Sequence, residues 1–310
     1  MAHHRAVQAL GAVADLIVFA SAITDPAVYD AYARPGIRAA AEPSSEVLAL
    51  EAVGNVSRSN NLLLDAAAGR DDLEALVLVE EHVELTDHQL CAKVRAALSD
   101  RDVAVVGWMG ATGVSSIAWW AGRISCGPVV LAYEEYGGGE LPACAWTTVQ
   151  RPPHEVDSVD GRLIALSPWA ARELRFDEHL SLPFGYDLDF CLQVREAGRK
   201  VVTADIGAVH HHSLELVREH ALWVEAHIRM AEKWDGRMPA AATADTDWRA
   251  RARRAEAERD AARTLAYSNA SHVEARARPL ERELAAMIES RSWRATAPLR
   301  RLNQLLGGRF

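Results

Sequence analysis

Cysteine is scarce in this chain, and no two cysteines are close together. Cys91, Cys126, Cys144 and Cys191 form no Cys-X-X-Cys pair, which argues against a zinc ribbon or a disulfide scaffold and predicts buried thiols of a reducing cytosol. Long apolar runs are missing too: none approaches the roughly 18 residues that span a bilayer. Asp15 interrupts the apolar stretch in MAHHRAVQALGAVADLIVFA, so Leu16 to Ala20 is expected as a first core strand rather than part of a signal peptide. Positive charge is short, with 34 Lys and Arg against 43 Asp and Glu for a net charge of −9. Arg249 to Phe310 carries 14 Arg and 7 acidic residues, +7, which leaves −16 for the residues before it. An acidic main part argues against nucleic acid as its ligand, because phosphate backbones are bound through clustered Lys and Arg. The expectation is a soluble cytoplasmic protein.

What the chain does have is 49% hydrophobic content over 310 residues, enough for one large domain or two small ones. Short apolar segments alternate with helical patterns. Strands are expected at Leu16 to Ala20, Ile37 to Ala41, Leu76 to Val79, Val103 to Val106, Leu163 to Leu166 and Lys200 to Ala204, and Val47 to Val53 is another apolar segment. Helices are expected around Ala27 to Ala33, from Asn55 towards Gly69, and at Asp87 to Leu98. This order predicts an α/β layer fold with a largely parallel sheet. Ligands of such sheets bind beyond the carboxyl ends of the strands, which selects the loops Ser21 to Pro26, Glu42 to Glu46 and Glu80 to His82. Thr112 to Pro153, rich in Gly and Trp with Trp119, Trp120, Trp146 and a Gly137-Gly138-Gly139 run, is expected to be irregular and to cover a substrate.

The most informative stretch is FGYDLDFCLQVREAGRKVVTADIGAVHHHS, Phe184 to Ser213. Asp187 and Asp189 precede an apolar-periodic run (Phe190, Leu192, Val194), where a carboxylate can cap a helix. Gly198 ends that helix, a strand follows, and His210, His211 and His212 come next on an extended segment. A Tyr-Asp-X-Asp helix start, a Gly stop, a strand and a His together resemble the C-terminal half of the catalytic domain of family 2 glycosyltransferases, in particular the streptomycin-biosynthesis type. The likeness runs from about Asp15 to Trp234. It implies the GT-A fold over residues 1–238, Rossmann-like with a largely parallel sheet, followed by an Arg/Ala-rich helical tail over 239–310.

The resemblance also implies roles for residues. Asp187 takes the place of the catalytic base, with Asp189 capping the helix and orienting its neighbour beside Tyr186. Either His210 or His211 helps hold a divalent cation. Glu80-X-His82 follows the strand Leu76 to Val79, where the family has an Asp-X-Asp that holds Mg²⁺ or Mn²⁺ against the donor diphosphate, whose charge grows as the glycosidic bond breaks. Polypeptide N-acetylgalactosaminyltransferases have an Asp-X-His at that place. Imidazole suits Mn²⁺ better than Mg²⁺, so Mn²⁺ is the expected metal. Glu42 and Ser44, in the loop Glu42-Pro43-Ser44-Ser45, replace the family's Asp-Gly-Ser near the nucleotide base. Arg58, Asn60 and Asn61 fall near the donor, and Gly161 would let backbone approach it closely.

The implied activity is transfer of a sugar from a nucleotide-sugar donor to a glycan or other acceptor hydroxyl. It would proceed with inversion and with metal dependence, in cell-surface polysaccharide or glycoconjugate synthesis. An acceptor hydroxyl needs a positioned base. Two rivals stand beside this reading. One is a catalytically silent nucleotide-sugar-binding or scaffold protein of the same fold. The other is a zinc hydrolase built on His210, His211, His212 and either His220 or His227, which lacks an HExxH and whose consecutive strand histidines alternate faces.

The tail reads as amphipathic helix from Trp248 to about Ala266, continued by Leu280, Leu284, Met287 and Ile288 and, after Pro298, by Leu299, Leu302, Leu305 and Leu306. SRSWRATAPLRRL resembles a tail of bacterial surface-polysaccharide glycosyltransferases. The apolar positions suit packing on the domain or a coiled coil. The flanking Arg291, Arg294, Arg300, Arg301 and Arg309 suit a peripheral contact with the inner face of the plasma membrane.

Overall fold

A computed structural model describes residues 16–133, 139–142, 149–180, 182–212, 220–238, 249–296 and 298. Its first half contains β1 (Leu16–Ile23), α1 (Pro26–Ala31), α2 (Ala33–Ala40), β2 (Glu46–Glu51), α3 (Val56–Ala68), β3 (Leu73–Val79), β4 (Val83–Leu85), α4 (Leu90–Leu98) and β5 (Val103–Gly107). Next come β6 (Met109–Thr112), β7 (Arg123–Cys126), β8 (Val129–Tyr133), β9 (Gly139–Pro142), β10 (His154–Glu155), β11 (Ser158–Val159) and β12 (Leu163–Leu166). The last part holds α5 (Pro168–Glu173), α6 (Tyr186–Glu196), β13 (Lys200–Thr203), β14 (Ala208–His212), α7 (His220–Lys233), α8 (Arg249–Glu289) and α9 (Arg291–Ala295).

Seven strands make the central sheet in the order β10-β13-β5-β12-β3-β1-β2. β1 pairs in parallel with β2 and β3, and β13 pairs in parallel with β5. β12 runs antiparallel to both of its neighbours, as β10 does to β13. The central strands are apolar on both faces because each face is covered. Ile17, Phe19 and Val77 face one core, while Val18, Leu76 and Leu78 face another that includes Leu63 and Leu64 of α3 and Phe190 of α6. The architecture is therefore mixed α/β with a large, mostly parallel sheet. Two smaller sheets, β11-β6-β7 and β4-β14-β8-β9, flank it.

Of Ile37 to Ala41, expected as the second strand, Ile37 to Ala40 belong to the helix α2 instead and Ala41 is its C-cap. Pro35 falls in the first turn, where its missing N–H costs nothing, and Ala33, Ile37 and Ala40 are buried on one face. Gly36 lets this helix press on β4: a Cβ there would lie 2.4 Å from the Leu85 nitrogen. The second strand is β2, so Glu42 to Ser45 enters a strand rather than leaving one. Thr112 to Pro153 is also more ordered than expected. It contributes β7, β8 and β9, while Trp146, Gly137 and Gly138 lie outside the described residues.

Cys91, Cys126 and Cys191 are buried, and Cys144 lies outside the described residues. No helix among the described residues is long and apolar enough to cross a membrane. The expected boundary at 239 lies outside the described residues. After it, the start of α8 packs through Ala257, Ala261 and Thr264, all buried. Leu299, Leu302, Leu305 and Leu306 lie outside the described residues as well.

Candidate active site

The carboxyl ends of β1 and β3 open on a cavity of about 490 Å³, closed on the far side by the start of α6. Asp187 reaches it from the second position of α6. That helix starts after Gly185, whose φ of 81° is left-handed; a side chain there would be strained and would meet Ile117, 2.8 Å from a Cβ. One Asp187 oxygen accepts the Leu188 N–H at 2.8 Å and the other accepts the Gly161 N–H at 3.0 Å. Burial, reinforced by the neighbouring Asp160 carboxylate, pushes the Asp187 carboxyl up to about 6. Gly161 also gives Tyr186 its place, since a Cβ at 161 would come within 2.6 Å of the Tyr186 hydroxyl oxygen. Burial raises the Tyr186 phenol well above its ordinary value, so it remains protonated.

Glu80 stands between two imidazoles. Its Oε1 lies 3.3 Å from Nδ1 of His82 and its Oε2 lies 3.4 Å from Nε2 of His210. Burial alone would raise the Glu80 carboxyl, but His210, His82 and the Arg162 charge overcome it and hold it well below the usual range. Contact with Glu80 raises His82, whereas burial and then the Arg162 charge lower His210. His210 is therefore neutral, with a lone pair to offer.

His211 points to the opposite side of β14, as strand alternation requires. It contacts Glu84 at 2.8 Å and stacks on Tyr32 with ring centroids 3.8 Å apart. Of the two histidines, His210 is the one whose ring faces Glu80. His227 contacts the Trp223 carbonyl at 2.9 Å on α7, while the side chain of His212 lies outside the description. Among the described residues, no histidine cluster of a zinc hydrolase assembles.

The remaining expected residues divide. Gly161 and Asn60 line the cavity; Arg58 and Asn61 line a separate surface groove instead. Arg58 pairs there with Glu178 at 3.3 Å, and Asn61 brackets the Phe176 backbone, accepting its N–H and donating to its carbonyl at 2.9 Å each. Glu42 and Ser44 are absent from the cavity because their loop precedes β2. Glu42 instead forms a two-pronged pair with Arg95 at 2.9 and 2.7 Å. Asp189 makes no cap. It is fully buried and accepts from Trp234 Nε1 and Gln193 Nε2, both at 2.8 Å, while Lys233 Nζ lies at 2.6 Å. It ties α6 to α7.

Two residues of the cavity, Arg162 and Glu81, were not anticipated, and its aromatic wall takes Trp120 from the segment expected to cover a substrate. Arg162, at the head of β12, is the one Lys or Arg among the described lining residues. Its guanidinium contacts Asp160 at 3.0 Å and Glu80 at 3.7 Å. Because β12 runs antiparallel, its first residues arrive where the parallel strands end, and an Arg next to Asp160-Gly161 was the available signal. Glu81 is buried and accepts the Thr24 and Asp25 N–H groups at 2.7 and 2.9 Å, fixing the loop after β1. An aromatic wall faces the carboxylates: Trp120 stacks on Trp223 with centroids 5.7 Å apart, and Phe184 meets Trp223 edge-on at 4.9 Å.

The donor types around Glu80 suit a divalent cation. Glu80 Oε2 and His82 Nδ1 are buried atoms whose contacts are the ion pairs with His210, Arg162 and Glu80 given above, and a carboxylate with two imidazoles favours Mn²⁺ over Mg²⁺. Among the described residues, no three such side chains already stand at coordination spacing.

No family model matches the chain. It is 26% identical over 183 residues to the streptomycin biosynthesis protein StrF of Streptomyces griseus, the aligned stretch covering 58% of this chain and 60% of that protein. The match thus spans less than two thirds of StrF. Among solved structures, it is similar to the mannosyltransferase PcManGT from Pyrobaculum calidifontis in complex with GDP-Man and Mn²⁺, with a TM-score of 0.45, 15% identity, and coverage of 90% of this chain and 82% of that one. It is also similar to A197 from STIV, with a TM-score of 0.40, 14% identity, and coverage of 63% and 84%.

Proposed function

We propose that the chain is a GT-A-type glycosyltransferase that moves a sugar from a nucleoside-diphosphate donor to an acceptor hydroxyl with inversion. One observation carries the reading: a single cavity at the carboxyl ends of the strands joins a buried carboxylate with a raised pKa to a carboxylate flanked by two imidazoles and a guanidinium. The likeness to StrF points the same way.

Asp187 takes the proton from the acceptor hydroxyl as that oxygen attacks the anomeric carbon. A carboxyl raised to about 6 is ionised at neutral pH and is a stronger base than an exposed one. Its two backbone N–H partners fix the orientation of the carboxylate. Proton removal on one face and departure of the nucleotide on the other parallel the inverting glycosidases. Glu80, His82 and His210 would hold a divalent cation, Mn²⁺ preferred, which when bound offsets charge on the departing diphosphate. Arg162 supplies a fixed positive charge to the same end of the cavity. The aromatic wall opposite excludes water, which would otherwise compete with the acceptor as nucleophile.

The test is to supply uridine, guanosine and thymidine diphosphate sugars with Mn²⁺ and to measure binding by calorimetry and release of nucleoside diphosphate. Binding and release by the native chain, with binding alone by Asp187→Asn, is the expected result. Failure of every donor to bind would overturn the reading. Binding with equal, negligible release by both proteins over a broad acceptor panel would favour the silent scaffold protein.

A further inference from the structure

α8 is a single helix of 41 residues that uses two different faces in its two halves. Ala257, Ala261 and Thr264 are buried in the first half, and α7 is the element it packs on there. In the second half the apolar side chains are exposed: Val273, Leu280, Leu284 and Met287 are 66, 65, 53 and 53% accessible. With Ala266, Ala270 and Ala277 they repeat at alternating steps of four and three, filling the d and a positions of a heptad from Ala266 to Met287. In the same register the docked residues Ala257, Ala261 and Thr264 hold positions b, f and b, on the far side of the helix from this seam. Pro279 falls at c, also away from it. The seam is therefore not the continuation of the packed face.

We infer that this seam pairs with the same seam of a second copy of the chain, as a parallel two-stranded coiled coil. Charge selects the partner and the direction. Arg276 at g faces Glu281 at e of the partner helix in a parallel pair, an attractive contact, whereas an antiparallel pair would set the row of Glu274 and Glu281 against itself. A membrane surface is a poorer occupant of this half: from Ala266 to Glu289 the helix carries Glu274, Glu281, Glu283 and Glu289 against Arg276, Arg278 and Arg282. A helix lying on anionic lipid needs the opposite excess. The alanines at three of the seven seam positions permit close approach of two helices and bury little area, so the association is concentration-dependent.

Sedimentation of the full chain over a concentration series tests this, without reference to catalysis. The native chain should move from the mass of one chain to that of two, and Leu280→Glu with Leu284→Glu should remain at one throughout. Both sites are exposed, so the domain has no reason to unfold. Arg276→Glu should weaken the dimer and Arg276→Glu with Glu281→Arg should restore it. Ala277→Cys should cross-link to itself under mild oxidation, as an a position does in a parallel pair. A native chain that stays monomeric, a dimer that survives the double Glu substitution, or an Ala277→Cys dimer that fails to cross-link would each overturn the inference. Binding of the monomer to anionic vesicles would give the seam to a membrane instead.

Discussion

Asp187→Asn should inactivate the protein and stabilise it at the same time, with the stabilisation following pH. The folded carboxyl sits at about 6 against an ordinary value of 3.8, a gap that corresponds to about 3 kcal/mol. The folded state therefore binds the proton more tightly than the unfolded state. Stability associated with Asp187 is fully present below about pH 3.8, declines as pH rises through 6, and is about 3 kcal/mol lower above it. Asparagine does not titrate. It accepts through one oxygen only, so either the Gly161 or the Leu188 N–H loses its partner, at a cost of about 1 kcal/mol. At pH 8 the variant should be the more stable protein by about 2 kcal/mol, and at pH 4 the less stable by about 1 kcal/mol. Urea unfolding of both proteins between pH 4 and 8 measures this, because contributions of the other titrating groups cancel in the difference. A difference that stays flat across that range, or a variant that turns over normally, would refute the argument. The native turnover rate should fall on the acid side with an apparent pKa near 6.

Other outcomes follow from the same geometry. Arg162→Met should weaken binding of a nucleoside diphosphate by tenfold or more in chelator, with Arg162→Lys intermediate, since the ammonium keeps the charge and loses the fork; calorimetry with the diphosphate alone reads this. Glu80→Gln should reduce Mn²⁺ binding at least tenfold, measured by the loss of free-ion paramagnetic signal, and removal of metal from the native chain should lower turnover. Asp189→Ala should cost about 3 kcal/mol of stability, because it leaves Trp234 Nε1 buried without a partner and removes one of the two carboxylates of Lys233; chemical unfolding checks it.

Where the sequence was legible, one residue type had one physical job. Leu76 to Val79 lies in a buried strand, β3, because little else suits the five successive apolar residues Ala75 to Val79 between Glu74 and Glu80, and the position of Glu80 at its end followed. The start of α6 was legible from Asp187 and the apolar period behind it. Ile37 to Ala41 was misread because Pro35 and Gly36 look like breakers, whereas one sits harmlessly in a first turn and the other is demanded by the approach of Leu85. That single error moved Glu42 and Ser44 to the wrong end of a strand. Asp189 shows another limit. Its neighbours Trp234 and Lys233 are some forty-five residues away, so no local pattern distinguishes a cap from a buried tie. Arg162 was missed because its relevance depends on strand direction, which residue spacing does not encode.

The antiparallel course of β12 bears on how such a site can diversify. Parallel strands deliver their ligand contacts through the loops that follow them, and loops change by insertion and deletion. Asp160, Gly161 and Arg162 sit at the entrance of a strand locked between β3 and β5. A change of length there would shift the register of the middle of the sheet. This edge of the cavity can evolve only by exchange of one side chain for another, so the fixed positive charge is inherited more rigidly than the loops around it.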